Sequence, residues 1–234
     1  MRSKIKVVAF DLDDTLWHVH PVIVNAEKRL ATWLKQHAAD FQYDASEMRE
    51  LRIEVLTKDP SLGYRLTAMR TALIKLSLSR SGYSDQQAAS LAGGAMEEFL
   101  IARNDVTFFE GALAAIEVLA GTYQLGALSN GNADIKRLGL QQYFSFAFSA
   151  EAVGAPKPAP DLFRAALEHT GVSPDQMVYV GDDPEKDVDA ANRLGLRTVW
   201  LKTEARPGPA ETLPHQTIED IRELPEAISR LTLD

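Results

Sequence analysis

The stretch Ile5–Asp14, which reads IKVVAFDLDD, decides the fold prediction for this chain. Its first part, Ile5–Phe10, is short, apolar and β-branched apart from Lys6, which is typical of a buried strand. The acidic run Asp11–Asp14 follows directly on the last apolar residue. Because open α/β sheets bind ligands at the carboxyl ends of their strands, the stretch predicts a sheet strand with a polar site at its end.

The next segment, from Pro21 to about Arg103, changes to a helical pattern, and no convincing strand interrupts it. Pro21 is well placed in a first helical turn, and Ser84 with Gln87 forms a capping pair before the last helix. The pattern predicts a helix starting near Pro21 and further helices over Ala45–Thr57, Tyr64–Ser79 and Ser84–Ile101.

After Asp105 strands and helices alternate, which predicts βαβ units and a mainly parallel sheet covered on both faces. Strands are predicted at Gln124–Leu128, Phe144–Phe148, Met177–Val180 and Thr198–Leu201. Helices are predicted at Ala112–Ala120, Ala133–Leu138, Pro160–Thr170 and Pro184–Leu194. The fold prediction is therefore a three-layer, Rossmann-like α/β/α core formed by residues 1–17 and 106–234, with residues 18–105 inserted as an all-helical domain.

Three polar clusters fall at the predicted strand ends: Asp11 with Asp13, Ser129-Asn130, and Gly181-Asp182-Asp183. Clustered carboxylates repel one another unless they share a cation or a proton, and oxygen ligands are what Mg²⁺ prefers. Lys157, between two prolines, would supply a positive charge. Together these residues predict a magnesium site at one edge of the sheet.

Each motif on its own has a plainer interpretation, which the residues alone leave open. The acidic run could be a strand end with a helix-capping aspartate, Ser129-Asn130-Gly131 an ordinary turn, and Lys157 a solvated lysine. Asp182-Asp183-Pro184 also reads as a helix start, with aspartate as cap and proline in the first turn. If the motifs had no function, all of these plainer interpretations would have to be correct at once, in order and at successive strand ends. Such a coincidence is improbable, which favours the functional interpretation.

The motifs resemble those of the haloacid dehalogenase-like phosphohydrolase superfamily, and they occur in its order. They are DLDDT at Asp11–Thr15, SNGN at Ser129–Asn132, the lysine of GAPKP at Lys157, and GDDPEKD at Gly181–Asp187. The helical insert resembles the cap of the superfamily's first cap class. The phrases FDLDDTLWHVHPVI, SNGNA and VGDDPEKDV are similar to those of bacterial phosphatases for flavin mononucleotide (FMN) and for a riboflavin precursor, 5-amino-6-(5-phospho-D-ribitylamino)uracil.

This resemblance implies a Mg²⁺-dependent phosphatase acting on monoesters through an aspartyl-phosphate on Asp11. Asp13 would be the general acid and base, and Lys157 would neutralise phosphate and nucleophile. The implied ligands of Mg²⁺ are Asp11, the backbone carbonyl of Asp13, and Asp182. Ser129 and the backbone amide of Asn130 would hold phosphoryl oxygens. Two further residues would support the site. Asp187 would orient Lys157 or a metal-bound water, and Thr15 would steady the turn.

The substrate prediction is less specific, because the helical insert has no self-explanatory motif. The resemblance favours a small phosphometabolite such as FMN or a riboflavin-pathway phosphate. Trp17, Tyr64, Arg65 and Arg70 are the candidates for stacking and charge contacts with it. The alternatives left open are a broad-range nucleotide and sugar phosphatase, a phosphomutase on the same scaffold, and a non-catalytic binding module. A dehalogenase of the superfamily lacks an aspartate at the position of Asp13, which counts against that activity here.

Composition restricts the partners and the compartment. The chain has 234 residues and a net charge of −8, and it has no long basic run, which argues against a nucleic-acid partner. It contains no cysteine, so thiolate ligands and Cys nucleophiles are excluded. No stretch approaches the roughly 20 apolar residues of a membrane span. We therefore expect a cytoplasmic protein that binds a small molecule and no membrane, while the oligomeric state is left open.

Overall fold

The computed structural model describes residues 4–39, 41–204 and 208–233. The chain divides into two compact units, Met1–His18 with Thr107–Asp234, and Val19–Val106. We refer to the first as the α/β unit and to the second as the helical unit. The assignment of residues 18–105 as a cap that serves catalysis stays a prediction.

The α/β unit is built on a six-stranded sheet in the order β3-β2-β1-β4-β5-β6, in which all neighbouring strands are parallel. The strands are β1 Val7–Phe10, β2 Gln124–Ser129, β3 Phe144–Ser149, β4 Met177–Gly181, β5 Arg197–Leu201 and β6 Gln216–Ile218. All four residues of β1 are buried, and β2 and β4 pair with it on either side. The carboxyl ends of β2, β1 and β4 therefore lie side by side.

The described residues of the helical unit form four α-helices around a core of their own. They are α1 Val19–His37, α2 Ala45–Lys58, α3 Leu66–Arg80 and α4 Asp85–Arg103, with a 3-10 turn at Pro60–Gly63. The predicted capping pair is confirmed: the Ser84 backbone N–H donates to Gln87 Oε1 at 3.1 Å, and the Gln87 N–H donates to Ser84 Oγ at 3.4 Å. The prediction of an inserted all-helical segment is confirmed.

The remaining helices belong to the α/β unit. They are α5 Ala112–Ala120, α6 Ala150–Val153, α7 Asp161–Thr170, α8 Ala190–Arg193 and α9 Leu224–Leu233. Apolar residues of α7 and α8 pack with Val7 and Ala9 of β1 and with Tyr179 of β4. Helix α5 contacts α9, and both helices contact strands. The predicted α/β architecture with a parallel sheet and flanking helices is confirmed.

One helix prediction was wrong, and one predicted helix has a different geometry in its first part. Residues 133–138 form no helix: the chain has no regular structure at 133–134 and turns from residue 135, because the segment is short and ends at Gly139, whose φ of 73° is left-handed. The predicted helix Pro184–Leu194 is present, but its first part, Pro184–Asp189, is π-helical, and the four residues of α8 follow it. Strand β6 and helix α9 had no counterpart in the prediction.

No helix within the described part of the chain combines the length and the apolar composition that a bilayer span requires.

Candidate active site

The loop that follows β1 places two aspartates differently. Asp11 continues the strand, since its backbone N–H donates to the Val180 carbonyl of β4 at 2.8 Å. The chain then turns, with the Leu16 N–H donating to the Leu12 carbonyl at 2.9 Å. Asp14 has a φ of 61°, a left-handed conformation that aspartate tolerates better than most residues. Asp11 is thereby held at the sheet edge, while Asp13 lies in the turn.

Trp17 anchors the side chain of Asp13. Its indole Nε1–H donates to Asp13 Oδ1 at 3.0 Å, and its ring makes an edge contact with Phe108 at 5.6 Å between centroids. The tryptophan is fully buried, whereas Asp13 is half-buried. This burial argues against the predicted role of Trp17 in stacking on a substrate, because the ring has no free face. Trp17 instead orients a carboxylate.

The ammonium group of Lys157 lies at the centre of the site and is only 3% exposed. Its Nζ donates to Asp11 Oδ1 at 2.7 Å, to Asp187 Oδ1 at 2.7 Å and to the Tyr179 hydroxyl at 2.6 Å. Four residues that are far apart in sequence therefore meet at one nitrogen. The plainer interpretation of Lys157 as a solvated lysine is wrong.

Asn130 clamps the backbone of Lys157. Its amide Nδ2 donates to the Lys157 carbonyl at 2.8 Å, and the Lys157 N–H donates to Asn130 Oδ1 at 2.7 Å. The neighbouring Ser129, 4% exposed, accepts a hydrogen bond from the Gly131 N–H at 2.9 Å. The end of β2 thus sets the position of the lysine loop. A side-chain role for Asn130 was absent from the sequence prediction, which assigned only its backbone amide.

The end of β4 supplies Asp182, which is 2% exposed. The Thr15 hydroxyl donates to Asp182 Oδ1 at 3.3 Å, and Trp200 Nε1–H donates to the Asp182 carbonyl at 2.9 Å. Asp183 points elsewhere: its Oδ1 accepts hydrogen bonds from the backbone N–H groups of Glu185 and Lys186 at the start of the π-helical segment. The helix-cap interpretation therefore holds for Asp183, while its neighbour faces the cluster.

Asp187 reaches the cluster by packing over Gly181. A Cβ atom on Gly181 would overlap the Asp187 side chain, so the close approach requires glycine. One carboxylate oxygen of Asp187 accepts from Lys157, and the other accepts from the Asp183 N–H at 2.9 Å. The π-helical segment carries Asp187 to this position.

Three buried carboxylates and a single ammonium group make up the cluster, and the excess of negative charge acts on Asp11. Burial, together with repulsion from Asp187 and Asp182, raises the pKa of Asp11 to about 8, although Lys157 opposes the change. Burial on its own lowers the pKa of Lys157, but the attraction of Asp11 and Asp187 outweighs it and raises the pKa above the ordinary value. The lysine therefore stays charged, and the carboxylates hold an extra proton or an added cation.

The donor set suits a hard divalent cation. Asp11, Asp182 and Asp187 each offer a carboxylate oxygen, and these atoms lie within 4.8 Å of one another. Oxygen ligands with an excess of negative charge are those that Mg²⁺ prefers. Since Asp187 already binds Lys157 and the Asp183 N–H, Asp11 and Asp182 are the better candidates for direct ligands.

The other predicted contact residues belong to the helical unit. Arg70 donates to Glu27 Oε1 at 2.6 Å, and its guanidinium lies 3.9 Å from the centroid of the Phe99 ring. Glu27 also accepts from the Tyr43 hydroxyl at 2.9 Å. These contacts within the unit argue against a charge contact between Arg70 and a substrate. Tyr64 and Arg65, both half-buried just before α3, remain predicted contact residues.

A cavity of about 620 Å³ in the α/β unit lies away from the cluster, beyond the ends of β5 and β6. Its lining includes His18, Lys202 and Arg222, and none of the aspartates of the cluster. The charges of Lys202 and Arg222 are balanced by Glu219 and Glu110 at 3.6 and 3.5 Å. The chemistry of the cluster, rather than cavity volume, therefore identifies the candidate site.

Tyr179 is a site residue that the sequence prediction missed. It lies within the apolar strand MVYVG, and a phenol in a strand that is otherwise buried and apolar requires a hydrogen-bonding partner. The hydroxyl group in this apolar strand was the sequence signal that could have identified Tyr179 as a site residue.

Comparison with known proteins identifies relatives along nearly the whole chain. A family model described as haloacid dehalogenase-like hydrolase matches residues 5–195. The 5-amino-6-(5-phospho-D-ribitylamino)uracil phosphatase YigB of Escherichia coli (strain K12) is 30% identical over 97% of this chain and 97% of its own length. A phosphoserine phosphatase of Thermus thermophilus is 34% identical over 66% of this chain and 63% of its own length.

A solved structure described as a 2-haloacid dehalogenase, from Pseudomonas syringae pv. Tomato DC3000, superposes with a TM-score of 0.92. It is 39% identical in sequence, and the match covers 97% of this chain and 99% of that one. These findings confirm the prediction of an enzyme of the hydrolase class that has phosphatases among its relatives. The chain belongs to the haloacid dehalogenase-like hydrolase family.

Proposed function

We propose that this chain is a Mg²⁺-dependent phosphatase that transfers the phosphoryl group of a small-molecule monoester to Asp11 and then to water. The observation that carries the proposal is the cluster in which Lys157 Nζ lies 2.7 Å from both Asp11 and Asp187, with an Asp182 oxygen within 4.8 Å of theirs. A buried nucleophile, an ammonium group and a cation-binding pair of carboxylates are the parts that phosphoryl transfer requires.

In the first step an oxygen of Asp11 attacks phosphorus, and the bond between phosphorus and the ester oxygen breaks. Lys157, held by Asp187 and by Asn130, offsets negative charge next to the nucleophile. Ser129 and the backbone amide of Asn130, at the end of β2, are the proposed contacts for the phosphoryl oxygens. Splitting the reaction through a covalent intermediate replaces one difficult displacement by two easier ones.

Asp13 is the proposed general acid and base. It is half-buried and oriented by Trp17. In the first step it gives a proton to the departing alkoxide. In the second step it takes a proton from the water that attacks phosphorus, while the bond between phosphorus and Asp11 breaks and phosphate leaves. The proton that Asp13 lost is thereby restored.

Asp11 and Asp182, with the backbone carbonyl of Asp13, would hold Mg²⁺. When bound, the ion neutralises carboxylate repulsion and stabilises charge on the transferring group. The chain itself supplies the oxygen ligands and, through Thr15, a hydrogen bond to Asp182.

Dehalogenation is a second candidate, because the structure with the TM-score of 0.92 is described as a 2-haloacid dehalogenase. The two reactions differ in the leaving group. A halide is a very weak base and departs without a proton, whereas an alkoxide needs one. Asp13, two residues after the nucleophile and anchored by an indole N–H, has a function in monoester cleavage and none in halide release. This difference favours the phosphatase.

For the substrate we propose a small phosphometabolite such as FMN or a riboflavin-pathway phosphate. The support is the similarity to the E. coli phosphatase, which extends over 97% of both chains. The relatives also include a phosphoserine phosphatase and a pyrimidine 5′-nucleotidase, which supports a broad-range activity as the alternative.

The test is a parallel assay of phosphate and halide release. Wild type, Asp11→Asn, Asp13→Asn and the control Asp105→Asn are incubated with Mg²⁺ and a panel of monoesters that includes FMN, and separately with 2-chloropropionate. Asp105 is exposed and lies outside the site. We expect phosphate release by wild type and by the control, none by Asp11→Asn, and a loss of about 100-fold or more in Asp13→Asn.

Halide release by the wild type without phosphate release would replace the proposal by dehalogenation. Phosphate release by folded Asp11→Asn at the wild-type rate, in a sample checked for deamidation, would remove Asp11 as nucleophile. Trapping of beryllofluoride on Asp11 in the presence of Mg²⁺ would give independent support.

A further inference from the structure

Tyr179 is a buried polar residue to which the mechanism above gives no role. It lies in β4 three residues before Asp182, and it is 1% exposed. Its hydroxyl oxygen is 2.6 Å from Lys157 Nζ and 3.0 Å from the carbonyl oxygen of Leu128. The phenol therefore bridges the lysine of the site and the backbone of β2.

The chemistry of the two partners sets the direction of both hydrogen bonds. An ammonium group can only donate, so the phenol oxygen accepts from Lys157. A carbonyl can only accept, so the phenol hydrogen points to Leu128. The hydroxyl cannot rotate without losing one of the two bonds. Burial, with repulsion from Asp187, Asp11 and Asp182, raises the pKa of Tyr179 well above its ordinary value, which keeps the phenol neutral.

Counting donors and acceptors also explains the orientation of the lysine. An ammonium group has three hydrogens, and Lys157 has three acceptors within 2.7 Å: Asp11, Asp187 and Tyr179. Each hydrogen therefore has an acceptor of its own, and turning about the Cε–Nζ bond would weaken all three hydrogen bonds at once. Tyr179 is the member of the three that is not a carboxyl group, so it completes the orientation without adding negative charge to the cluster.

The sheet register makes room for the phenol ring. Tyr179 pairs laterally with Ala9 of β1, which in turn pairs with Gly126 of β2. The small side chain of Ala9 allows the ring to reach across β1 to the Leu128 carbonyl. Phe163 of α7 supports the ring by an edge contact, with 4.9 Å between the centroids and an interplanar angle of 82°.

We propose that Tyr179 is a positioning residue that holds the Lys157 ammonium on Asp11 through a hydrogen bond anchored at the Leu128 carbonyl. The inference rests on the proposed phosphoryl transfer, in which Lys157 offsets negative charge next to the nucleophile. It adds a residue to the reaction that touches neither the phosphoryl group nor the cation.

The experiment compares Tyr179→Phe with Tyr143→Phe, which removes a half-buried hydroxyl in the same unit. The Tyr143 hydroxyl makes no hydrogen bond within the described residues. Steady-state kinetics are measured with the best monoester of the wild type, and folding is checked by circular dichroism and thermal unfolding. We expect kcat of Tyr179→Phe to fall by about 10- to 100-fold with KM within about threefold, and the control to stay within about twofold of wild type.

A merely structural role would lower the stability of Tyr179→Phe and leave kcat of the folded protein unchanged, and that result would overturn the inference. So would a rise in KM at constant kcat, because positioning of Lys157 acts on the transfer step. Equal losses in the two tyrosine variants would also overturn it.

A spectroscopic arm separates this inference from the proposed function. In ¹⁵N-labelled wild type at neutral pH, an ammonium group held by three acceptors is protected from exchange with water and gives a resolved ¹⁵N–¹H signal, which is assigned by its loss in Lys157→Met. We expect that signal to vanish or shift in Tyr179→Phe and to persist in Tyr143→Phe. If the protein hydrolyses no monoester but the Lys157 signal behaves as expected in both tyrosine variants, the proposed function is wrong and the positioning role of Tyr179 stands. If the signal is absent in wild type, the positioning role is wrong. This test needs only the wild type, so it remains available if Tyr179→Phe does not fold.

Discussion

Replacing Asp11 by asparagine should stabilise the cation-free protein at neutral pH, and the gain should grow as the pH rises. The ordinary pKa of this carboxyl is 3.8, and in the fold burial and two carboxylates raise it to about 8. Between these values the folded protein holds a proton that the unfolded chain has released. Stability then falls as pH increases, at about 1.4 kcal/mol per pH unit for one proton.

From pH 5 to pH 7 this single group should therefore remove about 2–3 kcal/mol from the free energy of unfolding. Lys157 does not contribute to that slope, because its pKa is raised and its charge is lost only at higher pH, through and above its ordinary value of 10.5. Asparagine cannot ionise, so the Asp11→Asn variant lacks this part of the pH dependence.

The assay is urea unfolding of wild type, Asp11→Asn and Asp105→Asn at pH 5, 6, 7 and 8 in EDTA. The quantity compared is the slope of the free energy of unfolding against pH. Only its difference between a variant and wild type is used, since other groups titrate in all three proteins. The exposed Asp105 controls for the loss of a carboxylate as such. In saturating Mg²⁺ the cation displaces the proton, and the slope assigned to Asp11 should flatten.

Parallel pH profiles of wild type and Asp11→Asn in EDTA would refute this reasoning. A greater loss of stability in Asp11→Asn at pH 8 than at pH 5 would refute it equally, because it would mean that the ionised carboxylate is stabilised by the fold.

Three further predictions follow from the contacts of the site. Gly181→Ala should displace Asp187, costing about 1–3 kcal/mol of stability and about tenfold or more in kcat, as measured by urea unfolding and phosphate release; an unchanged kcat would show that Asp187 does not need its position. Trp17→Phe removes the hydrogen bond to Asp13 and should lower kcat by about tenfold with the fold retained by circular dichroism, and wild-type turnover would contradict that role. Chelation of divalent cations should stop monoester hydrolysis and added Mg²⁺ should restore it, so EDTA-insensitive rates would exclude the proposed cofactor.

The sheet could be predicted because its signals are local. A buried strand shows in an apolar run such as Val7–Phe10, and strict alternation with helices leaves a parallel sheet as the simple solution. The failures occurred where the local signal is weak. Strand β6 has three residues, too few for a clear pattern. The helix from Pro184 was predicted, but periodicity does not distinguish the π-helical geometry of Pro184–Asp189 from an α-helix.

Predictions of which residues lie together at the site were also right where they depended on the sheet and wrong or missing where they depended on individual side-chain contacts. The ends of β1, β2 and β4 are neighbours in any sheet of this order, so a cluster of Asp11, Ser129 and Asp182 follows from topology. The partners of individual atoms do not follow from it. Trp17 was predicted to stack on a substrate, and the structure shows it buried against Phe108 with its N–H on Asp13.

By itself, the amino-acid sequence determined the fold class, the helical insert and the carboxylates that meet at one edge of the sheet, because strand periodicity and strand ends are properties of neighbouring residues. Only the tertiary structure decided that Lys157 is buried among Asp11, Asp187 and Tyr179, that Asn130 clamps its backbone, and that Arg70 binds within the helical unit. Hydrogen-bond partners depend on ångström-scale distances between residues as far apart as 146 positions, and no local pattern encodes such distances.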